Sequence, residues 1–216
     1  MFSLPAENPS YHITLLRHGE SVGNVEGYHQ GQSDFPLTER GRAQARALIE
    51  RWKKEKRRFD MILSSPLSRA RETAEMIASA IGAPLQLENL WLERDNGILA
   101  GKRPEEFPQT SPVFFYPYRH IGETGESQWE LYLRAGRALQ DLFNHPPGEY
   151  LVVSHGGLLN MVFYAILGIT PHANFQGPRF RFGNTAFASL AYQPDEHKWY
   201  ILGVNDRGHW QSVDED

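Results

Sequence analysis

A single α/β domain, built as a three-layer sandwich with a mostly parallel central sheet and helices on both faces, is predicted by three features of this 216-residue chain. Short runs of β-branched and leucine residues alternate with longer segments of helical apolar spacing, the order expected of βαβ units. The last two such runs, "TAFASLAY" and "KWYILGV", are separated by the turn-like "QPDEH" and read as a closing hairpin. A chain of this length fills one core, so the domain is expected to span residues 1–216.

The elements follow in order. Residues 12–17 form a strand ended by Gly19, and a polar loop carries the chain to "SDFPLT". Thr38 is suited to cap a helix whose apolar residues recur at 45, 48, 49 and 52, with the basic run "KKEKRR" as its solvated end. "FDMILSS" reads as a second buried strand. In "SPLSRARETAEMIASAIG", Ser65 is expected at the N-cap and Pro66 at the first helical position. Leu67, Ala70, Ala74, Ile77 and Ile81 then share one face, and Gly82 is the stop. "PLQLENLWLER" reads as a strand entering a loop. Residues 100–126, rich in proline, glycine and aromatics without a period, are expected to form a lid-like insertion. Ser127 and Glu130 make a capping box for a helix with Trp129, Tyr132, Ala135, Leu139 and Leu142 on its apolar side. "EYLVVSHGG" is a strand, "LLNMVFYAILG" an apolar helix, and "QSVDED" a frayed acidic tail.

Composition narrows the partners. With 40% hydrophobic residues and a formal charge of −4, the chain lacks the basic excess that nucleic acid or an anionic membrane would call for. A small molecule is the expected partner, and a homodimer is left open. Cysteine is absent, which removes disulfides and thiolate metal sites. "MFSLPAENPSYH" does not read as a signal peptide, and no stretch approaches ~18 apolar residues, so a cytoplasmic location is expected.

Functional groups of parallel α/β sheets gather outside the carboxyl ends of the strands. Two strands here run into a His-Gly pair, "LLRHGES" with Arg17, His18 and Gly19, and "VVSHGG" with His155 and Gly156. Arg69 lies at the start of the helix after "ILSS", Glu93 follows "LWL", and Asn24 lies in the first loop. Two guanidinium forks, two imidazoles and a neutral amide suit the oxygens of a phosphate group. Neither a P-loop nor an acidic metal cluster is present, so side chains would neutralise the phosphate, with no cofactor expected. A metal held by His18 and His155 would need further ligands, and no recognisable spacing supplies them. The remaining histidines, His120 in the suspected lid among them, are read as structural or surface residues.

"LLRHGES" with Asn24, "QGQSDFPLTERGRAQA", "SSPLSRARETA", "LER" with Gly97, and "VVSHGG" together resemble the histidine phosphatase superfamily, the phosphoglycerate mutase-like clan, from residue 13 to about 210. The resemblance implies the fold of that clan, a metal-independent reaction and His18 as the nucleophile that takes up the phosphoryl group. It places Arg17, Asn24, Gln30, Gly31, Arg69, His155 and Gly156 around the substrate. His18 would attack through an unprotonated nitrogen while its other nitrogen donates to a backbone carbonyl. His155 would act as a donor and as a cation. Glu93 would protonate the leaving oxygen and later take a proton from water; Glu88, Asp95 and Glu126 are other carboxylates within possible reach.

Phosphatases and mutases of this clan share the cradle. Asn96 and Pro104 stand where the cofactor-dependent mutases typically have Tyr and Lys, and the paired arginines that follow in mutases are missing, so hydrolysis of small phosphomonoesters is preferred. Many phosphatases of the clan carry a second Glu where Ala100 stands. Mutase-type transfer is the alternative, and a non-catalytic phosphoprotein-binding module is a third reading. Phe107, Phe114, Phe115, Tyr116 and Tyr118 are candidates to line an apolar substrate cavity, or else to pack the loop onto the body. Lys102, Arg103 and Arg119 are candidates to meet further negative charge.

Overall fold

β1 (Tyr11–Arg17) lies inside the sheet because its residues are apolar on both faces, which suits a strand covered from two sides. The computed structural model describes residues 9–107 and 116–212. After β1 come a single turn, α1 (Val22–Val25), and then α2 (Glu39–Lys54), β2 (Met61–Ser64), α3 (Ser68–Ile81) and β3 (Leu85–Leu87). The second half holds α4 (Gln128–Leu142), β4 (Glu149–Ser154), α5 (Gly156–Leu167), β5 (Phe187–Gln193) and β6 (Lys198–Asp206). The strand order is β3-β2-β4-β1-β5-β6. The first four are mutually parallel, while β5 runs antiparallel to β1 and β6 antiparallel to β5. The observed architecture is the α/β sandwich with a closing hairpin that the alternation of segments implied.

Period-two alternation assigns each strand residue to one of two cores. Ile13 and Leu15 of β1, Leu63 of β2 and Val152 of β4 pack against α4 and α5. Their neighbours Leu16, Ile62, Leu151 and Val153 pack against α2 and α3. Trp52 and Trp91 are the largest fully buried side chains, one in each core. Both helix pairs are thus seated by the same strands, which fixes the ends of those strands relative to one another. Among the described residues, no helix is long and apolar enough to cross a membrane.

Local signals set most helix ends. The Thr38 hydroxyl accepts the Gly41 N–H at 2.9 Å and caps α2 as expected. Ser127 and Glu130 close their capping box on α4. Gly82 ends α3 in the left-handed conformation. The start of α3 departs from the sequence reading. Its N-cap is Leu67, without a side-chain bond, and the helix begins at Ser68. Ser65 is used elsewhere, turned toward His155, and the first exposed N–H of the helix, that of Ser68, is met by Asp34 Oδ1 at 2.8 Å. The strand read across "PLQLENLWLER" also stops early, at Leu87. Trp91 turns into the core through a 3-10 turn at Asn89–Trp91.

Candidate active site

The carboxyl ends of β1 and β4 lie side by side, with Arg17 in register with Ser154, so the residues that follow them, His18 and His155, meet. Their ring centroids are 5.0 Å apart. The sharp departure of the chain after His18 needs Gly19: a Cβ there would lie 2.6 Å from the Gly41 carbonyl oxygen, where no side chain fits. A pocket of about 240 Å³ opens over this point, lined in part by Arg17, His18, Gln30, Gly31, Arg69 and Glu93.

His18 is buried, and its Nδ1 lies 2.6 Å from the Gly19 carbonyl oxygen. A carbonyl only accepts, so Nδ1 carries the hydrogen and Nε2 keeps its lone pair. Burial, joined by the charges of Arg69 and Arg17, holds His18 well below the ordinary imidazole value of 6.5. The ring is therefore neutral and nucleophilic at Nε2 at physiological pH.

Arg17 and Arg69 are each tied down at one edge and left open at another. Arg17 Nη1 donates to the Phe182 carbonyl at 2.8 Å. Arg69, 1% exposed, donates from Nη1 to Ser33 O at 2.9 Å and from Nη2 to Gly31 O at 2.7 Å. The Nε–H of both is buried without a partner. Burial lowers Arg17 and brings Arg69 down to about 10, with Glu93 opposing in each case, so both remain cations at neutral pH.

Burial first, then the positive groups around it, including Arg69 and Arg17, push His155 well below 6.5 and favour its neutral form. Its Nε2 lies 2.8 Å from Ser65 Oγ, which also accepts the Leu67 N–H at 3.3 Å. The Ser65 hydroxyl, which can both donate and accept, faces Nε2, and His155 Nδ1 is a buried atom with no partner. Arg17 Nε–H and Arg69 Nε–H are two buried donors without a partner, and both residues line the pocket. Buried polar groups are nearly always satisfied, so two unpartnered guanidinium donors at one pocket suit an anion.

Glu93 sits against the amino end of α5. Its carboxylate accepts from the backbone N–H groups of Arg94 at 2.9 Å, Gly157 at 3.0 Å and Leu158 at 3.1 Å. A Cβ on Gly157 would come within 2.3 Å of Glu93 Oε1, so the second glycine of "HGG" makes room for the carboxylate. Of the other acidic candidates, Glu126 forks Arg134, with contacts of 2.6 and 2.7 Å, and accepts from the Asp95 N–H at 3.0 Å. Asp95 accepts from the Gly97 N–H.

Gln30 lines the pocket with its Oε1 holding the Ser21 hydroxyl at 2.8 Å, and the Gly31 carbonyl serves Arg69. Gly156 lies one residue from the pocket wall, facing a second cavity. Asn24 is held through its oxygen: Oδ1 accepts from Ser21 N and Asn184 Nδ2, closing the cap of α1. Only its amide hydrogens are left to face a ligand, and it is not part of the pocket wall.

Two residues escaped the sequence reading. Arg94, adjacent to Glu93, donates from Nε to Asn96 Oδ1 at 2.8 Å and lines the pocket with it. Arg134 of α4 donates to the carbonyls of Leu90, Leu92 and Glu93 at 2.7 to 3.0 Å, and so fixes the segment that carries Glu93. In sequence Arg134 looks like any polar-side helix residue, because the carbonyls it holds are more than forty positions away.

Of the two readings of the lid aromatics, the described part of the lid shows packing onto the body. Phe107 packs edge-on against His29, Tyr118 stacks on Trp129, Arg119 lies over Tyr116, and Arg103 pairs with Glu26 over Tyr28. Phe114 and Phe115 lie outside the described residues. Among the described residues, no group of three or more His, Asp or Glu is placed to hold a metal.

A family model described as the histidine phosphatase superfamily (branch 1) matches residues 13–207. A Photorhabdus laumondii subsp. laumondii protein named probable phosphoglycerate mutase GpmB is 37% identical over 188 residues, 84% of this chain and 85% of its own. Among solved structures, YhfR of Bacillus stearothermophilus aligns with a TM-score of 0.81 at 28% identity, over 94% of this chain and all of its own. Phosphoserine phosphatase from Entamoeba histolytica, in complex with 3-phosphoglyceric acid, aligns with a TM-score of 0.74 at 26% identity, over 92% and 98%.

Proposed function

The chain belongs to the histidine phosphatase superfamily, and from that membership we propose that it hydrolyses small phosphomonoesters through a phosphohistidine at His18, without a metal. The observation that carries the proposal is the pair of unpartnered buried donors, Arg17 Nε and Arg69 Nε, beside the free Nε2 of His18.

A phosphoryl group seated on these donors presents phosphorus to Nε2. The N–P bond forms as the P–O bond to the alcohol breaks, and charge spreading over the equatorial oxygens is met by donors already in place. Glu93, in its protonated form, gives the departing oxygen its proton. The resulting carboxylate then takes a proton from water, whose oxygen attacks phosphorus while the N–P bond breaks and His18 recovers its lone pair. Binding a dianion reverses the field at His155. A ring kept neutral by surrounding cations gains a reason to protonate once the phosphate is present.

Mutase-type transfer is the competing reading, favoured by the name of the Photorhabdus relative. Hydrolysis is preferred because Asn96 and Pro104 stand where the mutases of the family carry Tyr and Lys. The solved Entamoeba phosphatase points the same way. The test is a phosphomonoester panel run with and without chelator, beside a coupled assay for conversion of 3- to 2-phosphoglycerate. The expected outcome is chelator-resistant phosphate release that falls by at least about three orders of magnitude in His18→Ala. Rapid interconversion with little release would favour the mutase, and no turnover across the panel would overturn the enzyme reading.

A further inference from the structure

Next to the phosphate pocket lies a larger cavity of about 540 Å³, formed between the amino ends of α4 and α5 and the segment at 172–181. The two share Arg94 and Gly157 as walls, so they meet where Glu93 would protonate a leaving oxygen. The larger cavity has an apolar floor that includes Leu131, Met161 and Phe180. Among the described residues, Arg94, Arg179 and Arg181 line it and no Asp or Glu does, in a chain whose net charge is −4. Among the described residues, Arg179 and Arg181 have no carboxylate partner, and both are exposed at the rim.

The walls are fixed before any ligand arrives. Asn160 on α5 donates to the Gly156 and Phe180 carbonyls and accepts the Phe180 N–H, each at 2.8 Å. The Tyr164 hydroxyl donates to Pro178 O at 2.8 Å, and Phe180 stacks on Phe163 with centroids 4.5 Å apart. A volume of this size belongs to the range of small-molecule sites, and an aromatic ring needs only roughly 150 Å³ of it.

We propose that this cavity seats the leaving alcohol, and that the substrate is a phosphomonoester whose alcohol has an apolar body of ring size ending in an anionic group such as a carboxylate. The body covers the floor while the terminal anion reaches Arg179 and Arg181. The assignment rests on the hydrolytic reading for the identity of the leaving group, but the recognition it describes is a binding event and can be measured as one.

The test uses non-hydrolysable ligands on the whole chain. Methylphosphonate, benzylphosphonate and 4-(2-carboxyethyl)benzylphosphonate are titrated by calorimetry, and the corresponding phosphate esters are assayed in parallel. Benzylphosphonate is expected to bind roughly tenfold more tightly than methylphosphonate through burial of its ring. The carboxylated ligand should gain a further factor of roughly five to ten from the rim cations. In the R179Q/R181Q double variant, the ratio between the last two should shrink to within about twofold. Equal affinity for all three in the unsubstituted protein, or a carboxylate preference that survives in the double variant, would overturn the proposal. A carboxylate preference without hydrolysis of the esters would sink the phosphatase reading and leave the cavity assignment standing. Hydrolysis without the preference would do the reverse.

Discussion

At His18 a single hydrogen bond, Nδ1 to the Gly19 carbonyl, decides which nitrogen is nucleophilic, and burial among cations decides that it is unprotonated. The consequence is a pH profile unlike that of free imidazole. Because only the neutral ring attacks, the acid limb that His18 sets in kcat/KM should lie well below 6.5. A limb at the ordinary position would contradict the burial of this residue. Glu93 is tested through the leaving group. In Glu93→Gln, turnover of alkyl phosphates should fall by about 10²–10⁴, while 4-nitrophenyl phosphate, whose departing oxygen needs no proton, should lose far less. Steady-state kinetics across esters of graded leaving-group acidity would read the difference; a uniform loss would leave Glu93 a positioning role only. Arg17, His18 and Arg69 were legible from short motifs because each lies at the end of a strand or the start of a helix, and Glu93 from the "LER" motif. The protonation state of His155 was not, since it depends on arginines drawn from three separate parts of the chain.

The two glycines that open α5 separate function from stability. A Cβ on Gly156 would meet nothing nearer than Arg17 Nε at 3.9 Å, whereas one on Gly157 would meet Glu93 Oε1 at 2.3 Å. The obstructing atom is the far end of a side chain, so Gly157→Ala should fold with little change in Tm while pushing Glu93 off the amino end of the helix. Turnover of alkyl phosphates is then expected to drop by about two orders of magnitude. Gly156→Ala should match or exceed the parent in stability, by up to about 1 kcal/mol, because it restricts the unfolded chain. Thermal unfolding of both variants beside their kinetics separates the effects, and equal kinetic losses would refute them. Helix caps were readable at Thr38 and Ser127 because donor and acceptor lie within one turn. The cap expected at Ser65 failed because its hydroxyl serves His155, ninety residues away. Arg134 escaped notice for the same reason of distance, although it holds three carbonyls of the loop that carries Glu93.

Across the whole molecule, the alternation of strands and helices was enough to read the sandwich, since two-sided burial forces apolar runs into its strands. It was silent on the large cavity, whose walls come from α4, α5 and the segment before β5. Molecular stability carries the imprint of the buried imidazoles. His18 and His155 lie well below 6.5 in the folded chain, and burial with Arg51 nearby brings His209 down to about 4. Unfolded, all three would take up protons near 6.5, so their contribution is complete above that value and is lost as pH falls below it. Tm in phosphate-free buffer should therefore decline between about pH 7 and about pH 5, and a flat profile would contradict the assignment. The unpartnered donors have a wider consequence for how such a chain can be improved. Arg69 keeps a buried charge whose Nε has no protein partner, and Arg69→Met, which removes that charge, should melt higher than the parent while losing phosphate binding. Breeding this protein for heat resistance alone would then select against its own chemistry first, and a useful screen would keep an anion in the tube.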